Sequence, residues 1–433
     1  MKRLFLLASA VAIAASPLAA QTVAITGGTV ALGDGTAPIP NGVVVIQNGK
    51  IVGAGAATAI PRGAEIVDAR GKWVTPGIVG GFSRLGLSEV DLSAEGTTDD
   101  NAPGSPFNAA LDVAPAINPM NSTIPVNRED GVTRAIVAPN VGRAIFGGQG
   151  AMMDLGADRD PITKARLFQF VEFGERGAGV AGGARTSTYA LFRNALREAQ
   201  EIAGRPSGTR RDDVLLTRLD AAALAPVVQG RQYLFIHAEQ ANDILQIIKL
   251  KREFPRLKLV IVGATEGWTV AGELAASGIP VIASAVNDLP ASFEMLAATQ
   301  SNVGRMKNAG VEVAIGMIDD NDTRYLFNQR QYAANLVALS KLPGATGVSW
   351  GEALAMITSR PAEIVGMGGE IGSLSRGRAG DVVIWSGDPL ELESKAEMVW
   401  IDGVRQPLET RQSKLRDRYK DLDRKALPEA YRR

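Results

Sequence analysis

Chemistry in this chain must be done with few reactive side chains. Its 433 residues include one histidine, His237, and no cysteine. No thiolate nucleophile and no disulfide can form, and the only side chain whose ordinary pKa lies near neutrality is the imidazole closing the run QYLFIHA, residues 232 to 238. His237 has two readings. It is a general base or metal ligand at a strand end, or it is a structural histidine hydrogen-bonded to a neighbour. A second stretch, TPGIVGGFSRLGL from residue 75 onward, leaves a Pro-Gly turn, runs on as a short apolar strand and carries the charge of Arg84. If strand alternation holds, positions 80, 82 and 84 face the same way.

Composition bounds what such residues can serve. Basic and acidic side chains balance at 46 each and 45% of residues are hydrophobic, so the chain is globular, with no electrostatic reason to meet nucleic acid or an anionic membrane. Met1-Lys2-Arg3, the apolar run Leu4 to Ala15 and the small residues Ser16 to Ala20 read as a signal peptide over residues 1–20, because the apolar run is shorter than the roughly 18 residues a membrane span needs. No later segment is apolar enough to span. An exported chain without cysteine suits a bacterial periplasm, or secretion, better than a disulfide-dense setting.

The elements that must position these residues fall into two textures. Residues 21–73 and 371–408 are short alternating strands with Asn48-Gly49 and Asp402-Gly403 as hairpin turns. Each is too small for a core alone, so they are expected to pair as two parts of one small β-sandwich. Between them, residues 74–370 alternate buried apolar strands, among them VTRAIVAP, LKLVIVG, IPVIASA and VEVAIG, with helices such as ANDILQIIKLKREFP. That pattern predicts an α/β fold, a TIM-like (β/α)8 barrel inserted in the split β-domain. Residues 409–433 are highly charged with Leu415, Tyr419 and Leu422 at helical spacing, which predicts an amphipathic C-terminal helix docked on the body or a partner.

Several motifs together resemble the amidohydrolase superfamily, and within it the imidazolonepropionase-like exported members. They are GKWVTPGIV, FIHAEQANDI, LVIVGATEGW, AGVEVAIG and, most specific, SWGEALAMITSRPAEIVGMGGEIGSLSRGRAGDVVIWSGDPL; together they cover nearly all of the mature chain. The resemblance implies a hydrolase of amide or cyclic-amide C–N bonds whose one or two metals sit at the C-terminal mouth of the barrel. It also implies histidines where this chain has Phe82, Arg84 and Gly263, with His237 kept and Asp319 or Asp320 near the expected aspartate. Zinc wants about four N, S or O ligands, and the superfamily's set cannot be assembled from one histidine. What remains is His237 with Glu239, Glu266, Asp319 and Asp320, a weak oxygen site at best, and Arg84, which is expected to pair with Asp319 in place of the metal's charge. His237 and Asp319 are the candidate catalytic pair.

Two functions follow from the resemblance. One is a non-catalytic or impaired binding subunit without cofactor, taking a small-molecule or peptide-like ligand, as a homo-oligomer or beside an active relative. The other is a hydrolase using one divalent metal on a non-standard carboxylate and histidine site. The run FGGQGAMMDL resembles a glycine-rich loop at the mouth, where Gly147, Gly148, Gln149 and Gly150 would shape a turn or hold an anion through their N–H groups; it lacks the lysine spacing of a P-loop. The glycine content of GERGAGVAGGARTS, residues 174 to 187, suits a mobile lid or an insertion.

Overall fold

The computed structural model describes residues 22–88, 98–204, 214–318 and 323–420. The candidates Asp319 and Asp320, the leader and Leu422 lie outside the described residues. Two eight-stranded sheets organise the chain. In the first, the terminal β-segments meet as expected: Trp73–Pro76 pairs in parallel with Val23–Val30 and antiparallel with Val382–Trp385. The strand Trp73–Pro76 thus belongs wholly to the β-domain, and the chain crosses into the barrel just after it, at Gly77. Both hairpin turns form, with positive φ at Asn48 and Gly49 and at Asp402 and Gly403, the geometry a type I′ turn demands.

The second sheet is the barrel. Its strands, in order around the sheet, are β1 (Ile78–Ser83), β2 (Val132–Val137), β3 (Phe146–Asp154), β4 (Ile162–Glu172), β5 (Tyr233–Ala238), β6 (Lys258–Gly263), β7 (Val281–Ala283) and β8 (Val313–Ile315). Closure comes just past β8, where the Met317 N–H donates to the Phe82 carbonyl at 3.1 Å. Gly81 makes this approach feasible, since a Cβ there would stand 2.2 Å from the Ile315 carbonyl oxygen. The pairing of β1 with β2 slips between Gly80 and Ser83. Val79 and Phe82 therefore pack in the same inner cluster, while a Cβ at Gly80 would press on Leu326 of the outer one. Simple alternation over 80, 82 and 84 fails at this bulge.

The barrel departs from an all-parallel pattern at β3, which runs antiparallel to both neighbours. This strand contains the expected mouth loop. Gly147, Gly148, Gln149 and Gly150 are ladder residues, and Gly150 is required because a Cβ would sit 2.0 Å from the Phe168 ring. Residues 174 to 187 are not a loop insertion either. They form helix α1 (Gly174–Val180) and the start of α2 (Arg185–Ala203); at Gly177 a Cβ would meet the Glu172 carbonyl at 2.3 Å, so that glycine serves close packing. The charged tail forms a helix over Arg411–Tyr419 that buries no residue, so Leu415 and Tyr419 do not dock on the body of the chain.

One buried cation ties the two sheets together. Arg134 of β2 is 2% exposed. Its guanidinium donates to Asp381 through Nε at 2.7 Å and Nη2 at 3.1 Å, and Nη2 also lies 2.7 Å from Asp402. Nη1 donates to Thr163 at 3.0 Å and stands 3.9 Å from Asp154. Burial pushes the Asp154 carboxyl up to about 6, against its hydrogen bond from Gly156 and the charge of Arg134.

Candidate functional site

Strand ends of the barrel converge on a cavity of about 130 Å³ lined by Phe82, Arg84, Phe170, Glu172, Arg176, His237, Glu239, Met295 and Ile318. It sits at the C-terminal ends of β1, β4 and β5, where barrel enzymes keep their chemistry. Strand geometry supplies the walls. Phe82 leaves β1 inward and tilts against Phe170 of β4, ring centroids 5.7 Å apart. Glu172 ends β4 beside His237, its register partner on β5.

His237 is held from both ring edges. Its Nδ1 meets Glu172 Oε1 in a short bond, and its Nε2 meets Glu239 Oε1 at 2.9 Å. Both carboxylates are 2% exposed. Burial alone would lower the imidazole's pKa, but the charges and bonds of Glu172 and Glu239 overcome it and hold His237 well above its usual value. Glu239 moves the other way. Burial would raise it, while the His237 bond and Thr265, whose N–H donates to Oε2 at 2.8 Å, draw it down. The centre is thus an imidazolium between two carboxylates, with both N–H groups spent as donors. In that protonated form neither ring nitrogen offers a lone pair. His237 is thus hydrogen-bonded at its strand end to two partners rather than one.

The other candidates scatter. Arg84 reaches the cavity, and its Nε lies 3.5 Å from Asp100 Oδ2, with both side chains buried; Asp100 is the described carboxylate beside it. Glu266 does not line the cavity. Its Oε2 accepts the Ala241 N–H at 3.0 Å and its Oε1 the Ala297 N–H at 3.1 Å, so it is a structural anchor. Gly263 faces Glu239 directly: a Cβ on it would lie 2.3 Å from Glu239 Oε1, and its φ of +97° disfavours any side chain. The Glu239 carboxylate fills the space a ligand from position 263 would use. None of residues 147 to 150 lines the cavity.

Sequence reasoning missed Glu172, Asp100 and Arg176. A signal for Glu172 existed in RLFQFVE, an apolar run broken at its end by an acid, but the strand itself went unread. The metal implied by the resemblance does not fit these residues. Among those described, no three histidine, aspartate or glutamate side chains could share an ion, and the wall positions expected to carry imidazoles hold a buried phenyl ring and a guanidinium.

Comparison with known proteins agrees with the fold. The Amidohydrolase family model matches residues 280–405. Amidohydrolase tasK of Hapsidospora irregularis is 24% identical over 385 residues, 81% of this chain and 38% of that one. Imidazolonepropionase of Maricaulis maris is 30% identical over 178 residues, 41% of this chain and 39% of that one. The chain therefore spans well under half the length of these two curated relatives. An amidohydrolase from Thermotoga maritima superimposes with a TM-score of 0.77 at 26% identity, covering 88% of this chain and 99% of that one. Molinate hydrolase, at 16% identity and a TM-score of 0.52, shares the fold. No helix among the described residues is long and apolar enough to cross a membrane. Barrel, split β-domain, matched motifs and structural likeness agree, and together they support the amidohydrolase superfamily as the family this chain is similar to.

Proposed function

We propose that this chain is an exported binding subunit on an amidohydrolase scaffold, which holds a small or peptide-like ligand at the barrel mouth without hydrolysing it and works beside a catalytic relative. The observation that carries this reading is the engagement of both His237 nitrogens by Glu172 and Glu239. Hydrolysis of an amide needs an activated water, made by a general base or by a metal ion, and the one imidazole is committed as an imidazolium. Arg84, Arg176 and the two glutamates still give the cavity polar groups with which to orient a ligand between the apolar faces of Phe82 and Phe170.

Elemental analysis of protein purified without added metal, before and after dialysis against a chelator, together with amide and cyclic-amide hydrolysis assays, tests this reading. The expected result is no stoichiometric zinc, manganese or magnesium and no turnover above buffer. A tightly held zinc whose removal abolishes hydrolysis would overturn the reading in favour of a hydrolase with a non-standard site.

A further inference from the structure

The cavity has a roof of two pieces, and one carboxylate joins them. The turn Phe293–Met295 supplies Met295 to the cavity wall, and helix α1 supplies Arg176. Glu294, the middle residue of the turn, is buried at 8% exposure, while its neighbour Phe293 is 80% exposed. The Glu294 carboxylate crosses to the helix, where Oε2 accepts the Glu175 N–H at 2.7 Å and Arg185 Nη2 at 3.0 Å. Gly174 is the residue that permits this. A Cβ there would lie 2.4 Å from Glu294 Oε2, and its φ is +69°. Arg185 is itself held by Asp243 at 2.9 Å, so the receiving side is rigid.

Little else holds the turn. Leu289, Phe293 and Leu296 all point to solvent, at 79%, 80% and 65% exposure, so the segment lacks the buried apolar contacts that make a region resist local opening. Its far end is fixed, because Trp268 Nε1 donates to the Ala297 carbonyl at 2.8 Å and Glu266 accepts the Ala297 N–H. A segment pinned at residue 297, weakly packed along its length and fastened at Glu294 has the build of a flap on a hinge.

We propose that Glu294 is a latch: its bonds to Glu175 and Arg185 keep the Phe293–Met295 turn closed over the cavity, and their release is the step that opens the cavity to a ligand. This rests on the reading of the cavity as the binding site and specifies how that site is reached. Glu294 acts through Met295 and Arg176, as a positioning residue.

The absence of cysteine supplies the test. Met295→Cys puts the molecule's only thiol on the cavity side of the flap, and its reaction with 5,5′-dithiobis(2-nitrobenzoate) reports opening without any ligand being known. In that background Glu294→Ala is expected to speed labelling by about 10- to 100-fold, the effect of losing charge-assisted bonds. Glu294→Gln, which keeps size and one acceptor, should fall between. The acceleration should be nearly independent of urea below the unfolding transition, as local opening exposes little surface. Three outcomes would overturn the latch: equal labelling rates in all three proteins, labelling of Met295→Cys alone at the rate of a free thiol, or acceleration that rises steeply with urea and so reports global unfolding. Because the rates are read without ligand, failure of the latch is separable from failure of the binding reading, which the metal and hydrolysis measurements decide.

Discussion

Arg134 and His237 are each held between two carboxylates, and they differ in whether the cation can lose its proton. Arg134, between Asp381 and Asp402, joins barrel to β-domain; His237, between Glu172 and Glu239, lines the cavity. A guanidinium stays charged at any pH a protein survives, and its planar fork suits two carboxylates at once, so the first arrangement is a permanent weld. An imidazolium is conditional. Its charge exists because the carboxylates are there, and it vanishes if pH rises far enough. The weld lies at the junction between domains, where constancy is useful, and the conditional pair lies where a ligand would be met.

Substitutions can break this comparison, and the largest effect is expected at the weld. Arg134→Ala leaves Asp381 buried without its cation, which typically costs about 3–5 kcal/mol, and urea unfolding should show it. His237→Gln removes the other cation but leaves a neutral donor, and the His237 side chain keeps 20% exposure, so a loss of about 2 kcal/mol is expected. Equal losses would mean that the two sites are energetically alike. The second test sharpens the contrast through pH. His237 is raised in the folded state, so its contribution to stability is complete below the unfolded value of about 6.5 and drains away as pH climbs through the raised value. The urea midpoints of parent and His237→Gln should therefore converge on the alkaline side of neutrality, while those of parent and Arg134→Ala stay apart; a gap for His237→Gln that widens with rising pH contradicts the imidazolium assignment. The smallest effect is expected at Asp154. Its carboxyl is raised to about 6, so the folded state takes up protons that the unfolded state releases, and stability falls as pH rises from about 4 toward 6. Asp154→Asn should recover stability at pH 8 and none at pH 4, read from the same unfolding curves.

Much of the architecture was legible because it is written in short-range pattern. Asn48-Gly49 and Asp402-Gly403 declare their turns, and five apolar runs declare barrel strands. Strands β3 and β4 were not legible. In FGGQGAMMD, Gly147 and Gly150 admit the rings of Phe170 and Phe168 and Gly148 the Leu111 carbonyl, a tertiary reason that looks like a loop in one dimension, and β4 begins in the polar run ITKAR. At the site, the placement of Phe82, Arg84 and His237 at the mouth could be anticipated from the motifs. The pairing of His237 with Glu172 could not, because those residues are 65 apart in the chain and meet only through strand register. Helix α1 misled for a related reason: Gly174 and Gly177 answer to Glu294 and to the Glu172 carbonyl, contacts that no local rule contains.

The contact between Gly263 and Glu239 bears on which histories are open to this chain. With Glu239 in place, histidine at position 263 would overlap the carboxylate, 2.3 Å from the first atom added, on a backbone of φ +97° that resists any side chain. Glu239 would have to shrink first, and doing so takes away one of the two carboxylates that hold His237 and leaves the Thr265 N–H without its acceptor. At these two positions either change made alone is penalised, so the order of substitutions matters. Such a site resists change one residue at a time: an imidazole at position 263 calls for a second change at Glu239.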